Sequence, residues 1–393
     1  MNPVESRSPL RIGLIAPEFL GYGGMAELAR HLATGLAEED HVVVWTRRDA
    51  AGPGPAAGGI ELDVRPTLRR ELASDAAHLA AEPRDVWFAT NAGYAPLAAT
   101  LSRPLAVYVN GNDLLKPWVG RTRPWLDRVE TSTAVWRLVG PLRERLLVRD
   151  LRRGLRAAAR IVANSRRTAE ILAARYPGNA GRTTVVHPGV APDYFRPSTP
   201  SGAGPLRLLT VTRLDRGTPR KNVDGVLRAL TLLPAHLDVE YTVVGDGGDR
   251  ARMEALAAEV GVAGRTRFTG FVDRAELARL YADADLFILA SRASDVDVEG
   301  FGIVYLEASA AGTPVLCSRA GGSVDAVVDG VSGIVLEDSE PPTIAAAIAA
   351  FAEDPGRFDP DSVRAVAEAH RWPEVTARIR AILDACVGRD GRP

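Results

Sequence analysis

Cysteine, lysine and long apolar runs are scarce in this 393-residue chain. Its two cysteines, Cys317 and Cys386, lie far apart and have no metal-ligand spacing. That excludes a disulfide framework and a cysteine zinc site, and points to a reducing compartment. Residues 1–9 are polar and the apolar run 12–16 is too short for a signal-peptide core or a membrane span, so a cytoplasmic protein is expected. A net charge of −1 lacks the basic excess that nucleic-acid phosphates demand, and nucleic acid is not an expected partner. Lys116 and Lys221 are the only lysines among 48 basic residues. Such a bias suggests a GC-rich genome, in which a retained lysine hints at a place where a compact, rotatable ammonium fits better than a planar guanidinium. Chance survival of two lysines is the plainer alternative.

What is present reads as an ordinary globular chain, 46% hydrophobic and 25% charged, long enough for two cores. A strand-like run at 10–16, a Gly-containing loop through Gly23-Gly24 and an amphipathic stretch at 25–37 open a βαβ unit. Further strand-like runs follow at 42–46, 86–90, 105–109 and 160–163. After a Pro/Ser/Gly-dense stretch at 196–205, read as a linker, the rhythm restarts with runs at 206–212, 240–245, 266–268, 286–290, 314–318 and 334–336. The fold class is therefore α/β, with two Rossmann-like domains expected over 1–195 and 206–360, facing across a ligand-binding cleft. Residues 361–386 are helical in pattern, with Pro373 expected to break or kink the helix. This closing segment, 361–393, is expected to pack back on the N-terminal domain.

The most informative stretch is Glu299-Gly300-Phe301-Gly302-Ile303-Val304-Tyr305-Leu306-Glu307. Its glycines let backbone N–H groups approach a ligand closely, and a helix starting there aims its positive end at an anion such as phosphate. Each carboxylate offers only acceptors, which suits the donor hydroxyls of a sugar on either side of that phosphate. Two solvated glutamates near a helix start are the plainer reading of the pair alone. Arg213 directly follows the run 206–212, and Lys221 follows the loop Asp215-Arg216-Gly217-Thr218-Pro219-Arg220 at the start of a helix expected over 222–233. Two cations at the carboxyl end of a parallel strand suit a diphosphate and the charge on a departing nucleoside diphosphate. A solvated basic loop is the alternative there.

Thr212-Arg213-Leu214 through Lys221-Asn222, Val244-Gly245-Asp246-Gly247, Asp283-Ala284-Asp285-Leu286 with Ala290-Ser291, Glu299-Gly300-Phe301-Gly302 to Glu307-Ala308, Gly312-Thr313-Pro314-Val315 and Gly321-Gly322 follow in a telling order. In that order and spacing they resemble the nucleotide-binding half of retaining family 4 glycosyltransferases of GT-B architecture, Glu299 and Glu307 matching the family's E-x7-E pair. The resemblance covers about 160–340 strongly. It reaches the N-terminal half through Gly23-Gly24, Ala163-Asn164-Ser165 and His187-Pro188-Gly189-Val190. It implies a hexosyltransferase that uses a nucleoside-diphosphate sugar and a hydroxyl acceptor, with no other cofactor and no metal. It further implies that Arg213 and Lys221 hold the diphosphate, Glu299 the sugar hydroxyls and Glu307 the ribose. Backbone groups of Gly300, Phe301, Gly302 and Ile303 would line phosphate and sugar, Gly270-Phe271-Val272 would hold the base, and Gly23-Gly24 would approach the phosphate or acceptor. The family's front-face route needs no enzymic nucleophile, and no convincing Ser–His–Asp or Cys–His set is present.

One departure stands out. Where the family often carries a histidine after an N-domain strand, this chain has Asn110, in Asn110-Gly111-Asn112-Asp113. Asn cannot titrate, so a proton relay there is in doubt while a positioning role stays open. Asn110, Asn112, Asp113 and Lys116 are assigned to the acceptor side, against the alternative of a polar turn capped by Asn and Asp. Asp295-Val296-Asp297 has the form of a metal-binding DxD, but it lies beside cations that already supply positive charge. Gly245-Asp246-Gly247-Gly248 is explained by tight-turn geometry. The Arg-rich stretch 121–156, with Trp125 and Trp136, suits either an ordinary surface helix or peripheral contact with an anionic membrane. A nucleotide-sugar epimerase or hydrolase, or a non-catalytic sugar-nucleotide-binding partner, stays open on the same scaffold. The base, sugar, acceptor and oligomeric state are not legible.

Overall fold

A computed structural model of the chain describes residues 8–20, 23–47, 60–65, 71–116, 133–198, 204–216, 219–292, 294 and 297–388. The chain divides into two compact units, residues 1–187 with 372–393, and residues 188–371.

The first unit is built on a seven-stranded parallel sheet of order β3-β2-β1-β4-β5-β6-β7. Its strands are β1 (Arg11–Ile15), β2 (His41–Arg47), β3 (Glu61–Arg65), β4 (Val86–Ala89), β5 (Leu105–Val109), β6 (Arg160–Ala163) and β7 (Thr183–Val185). The inner strands are nearly continuous apolar runs, because a parallel sheet covered by helices on both faces has no wet side. Ile12 lies opposite Val42 on one neighbour and Val86 on the other. Leu28, Leu32 and Leu36 from the helix Gly24–Ala37 pack on that sheet together with Trp372, Val375, Ile379 and Leu383 from the helix Trp372–Cys386. The sequence pattern misses β3 and β7. Both are edge strands, one alternating charged and apolar residues and the other three residues long, so neither carries a buried run.

The second unit holds a six-stranded parallel sheet of order β10-β9-β8-β11-β12-β13. Its strands are β8 (Leu206–Val211), β9 (Val239–Val244), β10 (Thr266–Gly270), β11 (Leu286–Leu289), β12 (Val315–Ser318) and β13 (Gly333–Leu336). All six correspond to runs read in the sequence. The boundary between units falls at 187/188 and not in the stretch 196–205, because Val190, Ala191 and Tyr194 are already part of the second unit's core. The amide of Val190 also donates to the carbonyl of His370 at 2.9 Å. The closing segment is likewise divided. The helix Pro360–Glu368 stays in the second unit, and the next helix, from Trp372, belongs to the first. The helical run over 361–386 is interrupted just before Pro373, as expected, and Pro373 itself sits in the first turn of the new helix, where no N–H is required. The helix expected over 222–233 is shorter, Val223–Leu230. Among the described residues no helix is long and apolar enough to cross a membrane.

Candidate functional site

β8 and β11 are neighbours in the second sheet although about 80 residues of chain separate them. Their carboxyl ends therefore deliver two loops to one place, the segment 212–222 after β8 and the segment 290–302 after β11. The loops are joined by charge. Lys221 Nζ donates to Glu299 Oε2 at 2.5 Å, and Arg220 Nη1 donates to Asp297 Oδ1 at 2.8 Å. Arg292 forms a two-pronged pair with Asp224, both contacts at 2.9 Å, and its own amide donates to the carbonyl of Arg220 at 2.7 Å. Asn222 completes the seam. Its Nδ2 donates to the carbonyls of Ala290 (2.9 Å) and Ser339 (2.8 Å), and it is the one non-glycine with positive φ among the described residues, at 57°. Asn tolerates that left-handed conformation better than most residues.

Glu299 is 7% exposed. Burial alone would raise its carboxyl pKa. The Lys221 and Arg220 cations overcome this, and the group is held below the usual carboxylate range. Its backbone is pinned from the far side: the amide of Gly322 donates to the Glu299 carbonyl at 2.7 Å. Gly321 passes so close, with φ 73°, that a Cβ there would lie 2.3 Å from the same oxygen. The pair Gly321-Gly322 thus serves close backbone approach.

Three residues on, Gly302 caps the helix Ile303–Ala311 with φ 85° and no side-chain cap bond. A Cβ at this position would lie 2.3 Å from the Tyr305 ring, so only glycine fits the turn. Phe301 points inward at 2% exposure, with its ring 6.2 Å from that of His370. Glu307 lies one turn into the helix, 8% exposed, and accepts a hydrogen bond from the Tyr281 hydroxyl at 2.7 Å. Gly300, Gly302 and Ile303 are half-buried.

Arg213 immediately follows β8 and is largely exposed, 3.5 Å from Asp215, outside the buried cluster. Gly270 ends the edge strand β10 with φ 75°, and its carbonyl accepts from Gly245 at 2.9 Å. Phe271 next to it is 69% exposed, and Val272 follows, half-buried. In the first unit, Gly23 and Gly24 are exposed at the start of the helix Gly24–Ala37. Asn110 donates through its amide to Asp113 Oδ1 (2.9 Å) and through Nδ2 to the carbonyl of Thr90 (3.0 Å). Asp113 Oδ2 accepts from the amide of Ala92 at 2.9 Å. Asp113 thus ties together the turns after β4 and β5, the arrangement that the capped-turn alternative describes, with Asn112 and Lys116 at the two ends of the short helix between them. Asp295 and Val296 lie outside the described residues, as do Trp125 and the rest of 117–132.

Arg220, Asn222 and Tyr281 are not singled out as site residues by the sequence pattern, and Asp297 stands out there only as part of a metal motif. Asn222 next to a lysine was the one local signal. An ion pair between residues 77 positions apart has none.

Residues 195–372 match the family model described as glycosyl transferases group 1, and residues 22–194 match glycosyltransferase family 4. Among curated relatives, a GDP-mannose-dependent alpha-(1-6)-phosphatidylinositol monomannoside mannosyltransferase of Mycolicibacterium smegmatis is 36% identical over 180 residues, 43% of this chain and 47% of the relative. A D-inositol 3-phosphate glycosyltransferase of Catenulispora acidiphila is 34% identical over 260 residues, 60% of each chain. The chain thus matches 47% and 60% of these two relatives' lengths, less than two thirds of either. Among solved structures, Anabaena HepE in complex with UDP and glucose superposes with TM-score 0.73 at 20% identity, covering 96% of this chain and 100% of that one. A sucrose-phosphate synthase of Thermosynechococcus elongatus gives TM-score 0.75 at 21% identity, covering 97% and 100%. At such identity the two structures speak to fold alone.

Proposed function

Because this chain belongs to glycosyltransferase family 4 and has the GT-B fold, we propose that it moves a hexosyl group from a nucleoside-diphosphate sugar to an alcohol, with retention and without a metal ion. The observation that carries the reading is the pairing of half-buried Lys221 with buried Glu299 at the carboxyl ends of two adjacent parallel strands, where ligands of α/β sheets gather. An ammonium has three N–H donors, so one bond to Glu299 leaves two for diphosphate oxygens. Arg213, exposed nearby in sequence, supplies a second cation. Glu299, held ionised, accepts from hydroxyls of the transferred sugar, and Glu307 from those of the ribose. Amides of Gly300, Phe301, Gly302 and Ile303 line the phosphate, and Gly270, Phe271 and Val272 flank the base. Gly23 and Gly24 approach the phosphate or the acceptor.

In the proposed step the acceptor oxygen bonds to the anomeric carbon on the face from which the diphosphate leaves. The carbon–oxygen bond to phosphate breaks, its electron pair stays on the leaving oxygen, and the acceptor proton moves to a phosphate oxygen. Lys221 and Arg213 stabilise the charge that develops there. Acceptor-side contacts are assigned to Asn110, Asn112, Asp113 and Lys116, with Asn110 and Asp113 acting through the shape of the turn they close. The exposed arginines Arg145, Arg149, Arg152 and Arg156 of the helix Thr133–Ala157 suit peripheral contact with an anionic membrane.

The test is a panel of UDP- and GDP-sugars, read by thermal stabilisation and by transfer to hydroxyl acceptors. One donor is expected to raise the melting temperature and to be consumed only with acceptor present. Lys221→Met and Glu299→Gln are each expected to lower kcat/KM about 100- to 1000-fold. Near-normal turnover in either folded variant, or donor consumption indifferent to acceptor, would sink the proposal.

A further inference from the structure

A row of buried rings runs beneath the glycine turn. Tyr194, Tyr281, Phe287 and Tyr305 follow one another at centroid separations of 5.7, 5.7 and 6.1 Å. At one end Tyr305 packs under Gly302 and donates its hydroxyl to the carbonyl of Leu289 at 3.0 Å. Within the row Tyr281, fully buried, donates to Glu307 Oε2 at 2.7 Å. Tyr281 is itself fixed, since the Thr313 hydroxyl donates to its carbonyl at 2.6 Å. Burial pushes its phenol well above the usual tyrosine range, so the group stays a proton donor at any working pH.

The terminal torsion of a glutamate is soft and roughly two-fold. A carboxylate that must accept from two neighbouring hydroxyls needs its plane set, and holding one oxygen sets it. We propose that Tyr281 is a positioning residue for Glu307: its hydroxyl fixes the carboxylate plane so that Glu307 meets the vicinal hydroxyls of the donor's ribose, and thereby sets a preference for ribonucleotide over deoxyribonucleotide diphosphates. This rests on the assignment of Glu307 to the ribose made above.

The test is calorimetric binding of UDP and GDP, each beside its 2′-deoxy counterpart, to the full chain and to its Tyr281→Phe, Glu307→Gln and doubly substituted forms. The unsubstituted chain is expected to bind the ribose form of its preferred diphosphate more tightly. Tyr281→Phe is expected to lower that ratio about threefold to tenfold, the size of one net intramolecular hydrogen bond. Binding of the deoxy form is expected to change less than about twofold, and Tyr281→Phe to add nothing once Glu307→Gln is present. Equal weakening of both forms would show packing alone and overturn the inference, as would an unchanged ratio. No ribose preference in the unsubstituted chain would instead remove the assignment of Glu307, and the inference with it. If Tyr281→Phe does not fold, Thr313→Val, which releases the Tyr281 carbonyl, must lower the same ratio. An unchanged ratio there is equally fatal.

Discussion

Glu299 shows how a single residue can be charged and buried at once. Desolvation opposes its ionised form, and the adjacent Lys221 and Arg220 lead the interactions that reverse the balance. The pH dependence follows from that sign. A carboxyl whose folded pKa lies below its unfolded value of about 4.3 stabilises the fold fully above that pH. The contribution is lost as pH falls through the folded pKa. In Lys221→Met the carboxylate keeps its desolvation cost without its closest partner, a loss of about 3–5 kcal/mol at neutral pH. Below the carboxylate range Glu299 is protonated in both proteins, and the cost fades. The melting-temperature gap between the unsubstituted chain and Lys221→Met should therefore be wide at pH 7 and narrow as pH drops toward 4, other carboxylates cancelling in the difference. Differential scanning fluorimetry across that range checks it. A gap that ignores pH would mean that Glu299 is not held by Lys221.

At the scale of elements, the site consists of loops at the carboxyl ends of parallel strands, and its precision depends on how tightly those loops are stacked. The turn through Gly321 after β12 lies against the backbone of Glu299, leaving no space for a methyl group. Gly321→Ala is expected to destabilise the second unit by about 1–3 kcal/mol, from strain at positive φ and displacement of the Glu299 carbonyl. Donor affinity should fall with it. Gly248→Ala is the control, because nothing lies within 4 Å of a Cβ there. Circular dichroism in urea, with donor titration, measures both; equal midpoints for the two variants would refute the stacking argument. The motif glycines were legible in the sequence as glycines. Which backbone they approach was not, since Gly321 and Glu299 meet only after β11 and β12 have paired.

At the scale of the whole molecule, the closing helix Trp372–Cys386 belongs to the first unit although 184 residues of the second intervene. Its apolar face joins the core of that unit, and its charge is buried too. Arg380 donates to Asp40 Oδ2 at 2.5 Å and pairs with Asp384, while Asp40 Oδ1 accepts from the amide of Leu10 at 2.8 Å. All three charged residues are below 9% exposure. Arg380→Met leaves two buried carboxylates without their cation and is expected to cost about 3–5 kcal/mol. All six tryptophans lie in the segments of the first unit, so tryptophan fluorescence in urea isolates its unfolding. The fluorescence midpoint should drop in Arg380→Met and stay in place in Gly321→Ala. A fluorescence midpoint unmoved by Arg380→Met would contradict the anchoring role.

The sequence by itself determined the alternation of strands and helices, the second sheet's six strands, and the charged and glycine residues available to a phosphate and a sugar. Those features are local: buried parallel strands need unbroken apolar runs, and tight turns need glycine. Tertiary structure alone decided that Lys221 meets Glu299, that Arg220 meets Asp297, that Tyr281 holds Glu307, and where each unit ends. Strand order places β8 beside β11, and the pairing of charges dozens of residues apart follows from that adjacency, which no window of sequence contains.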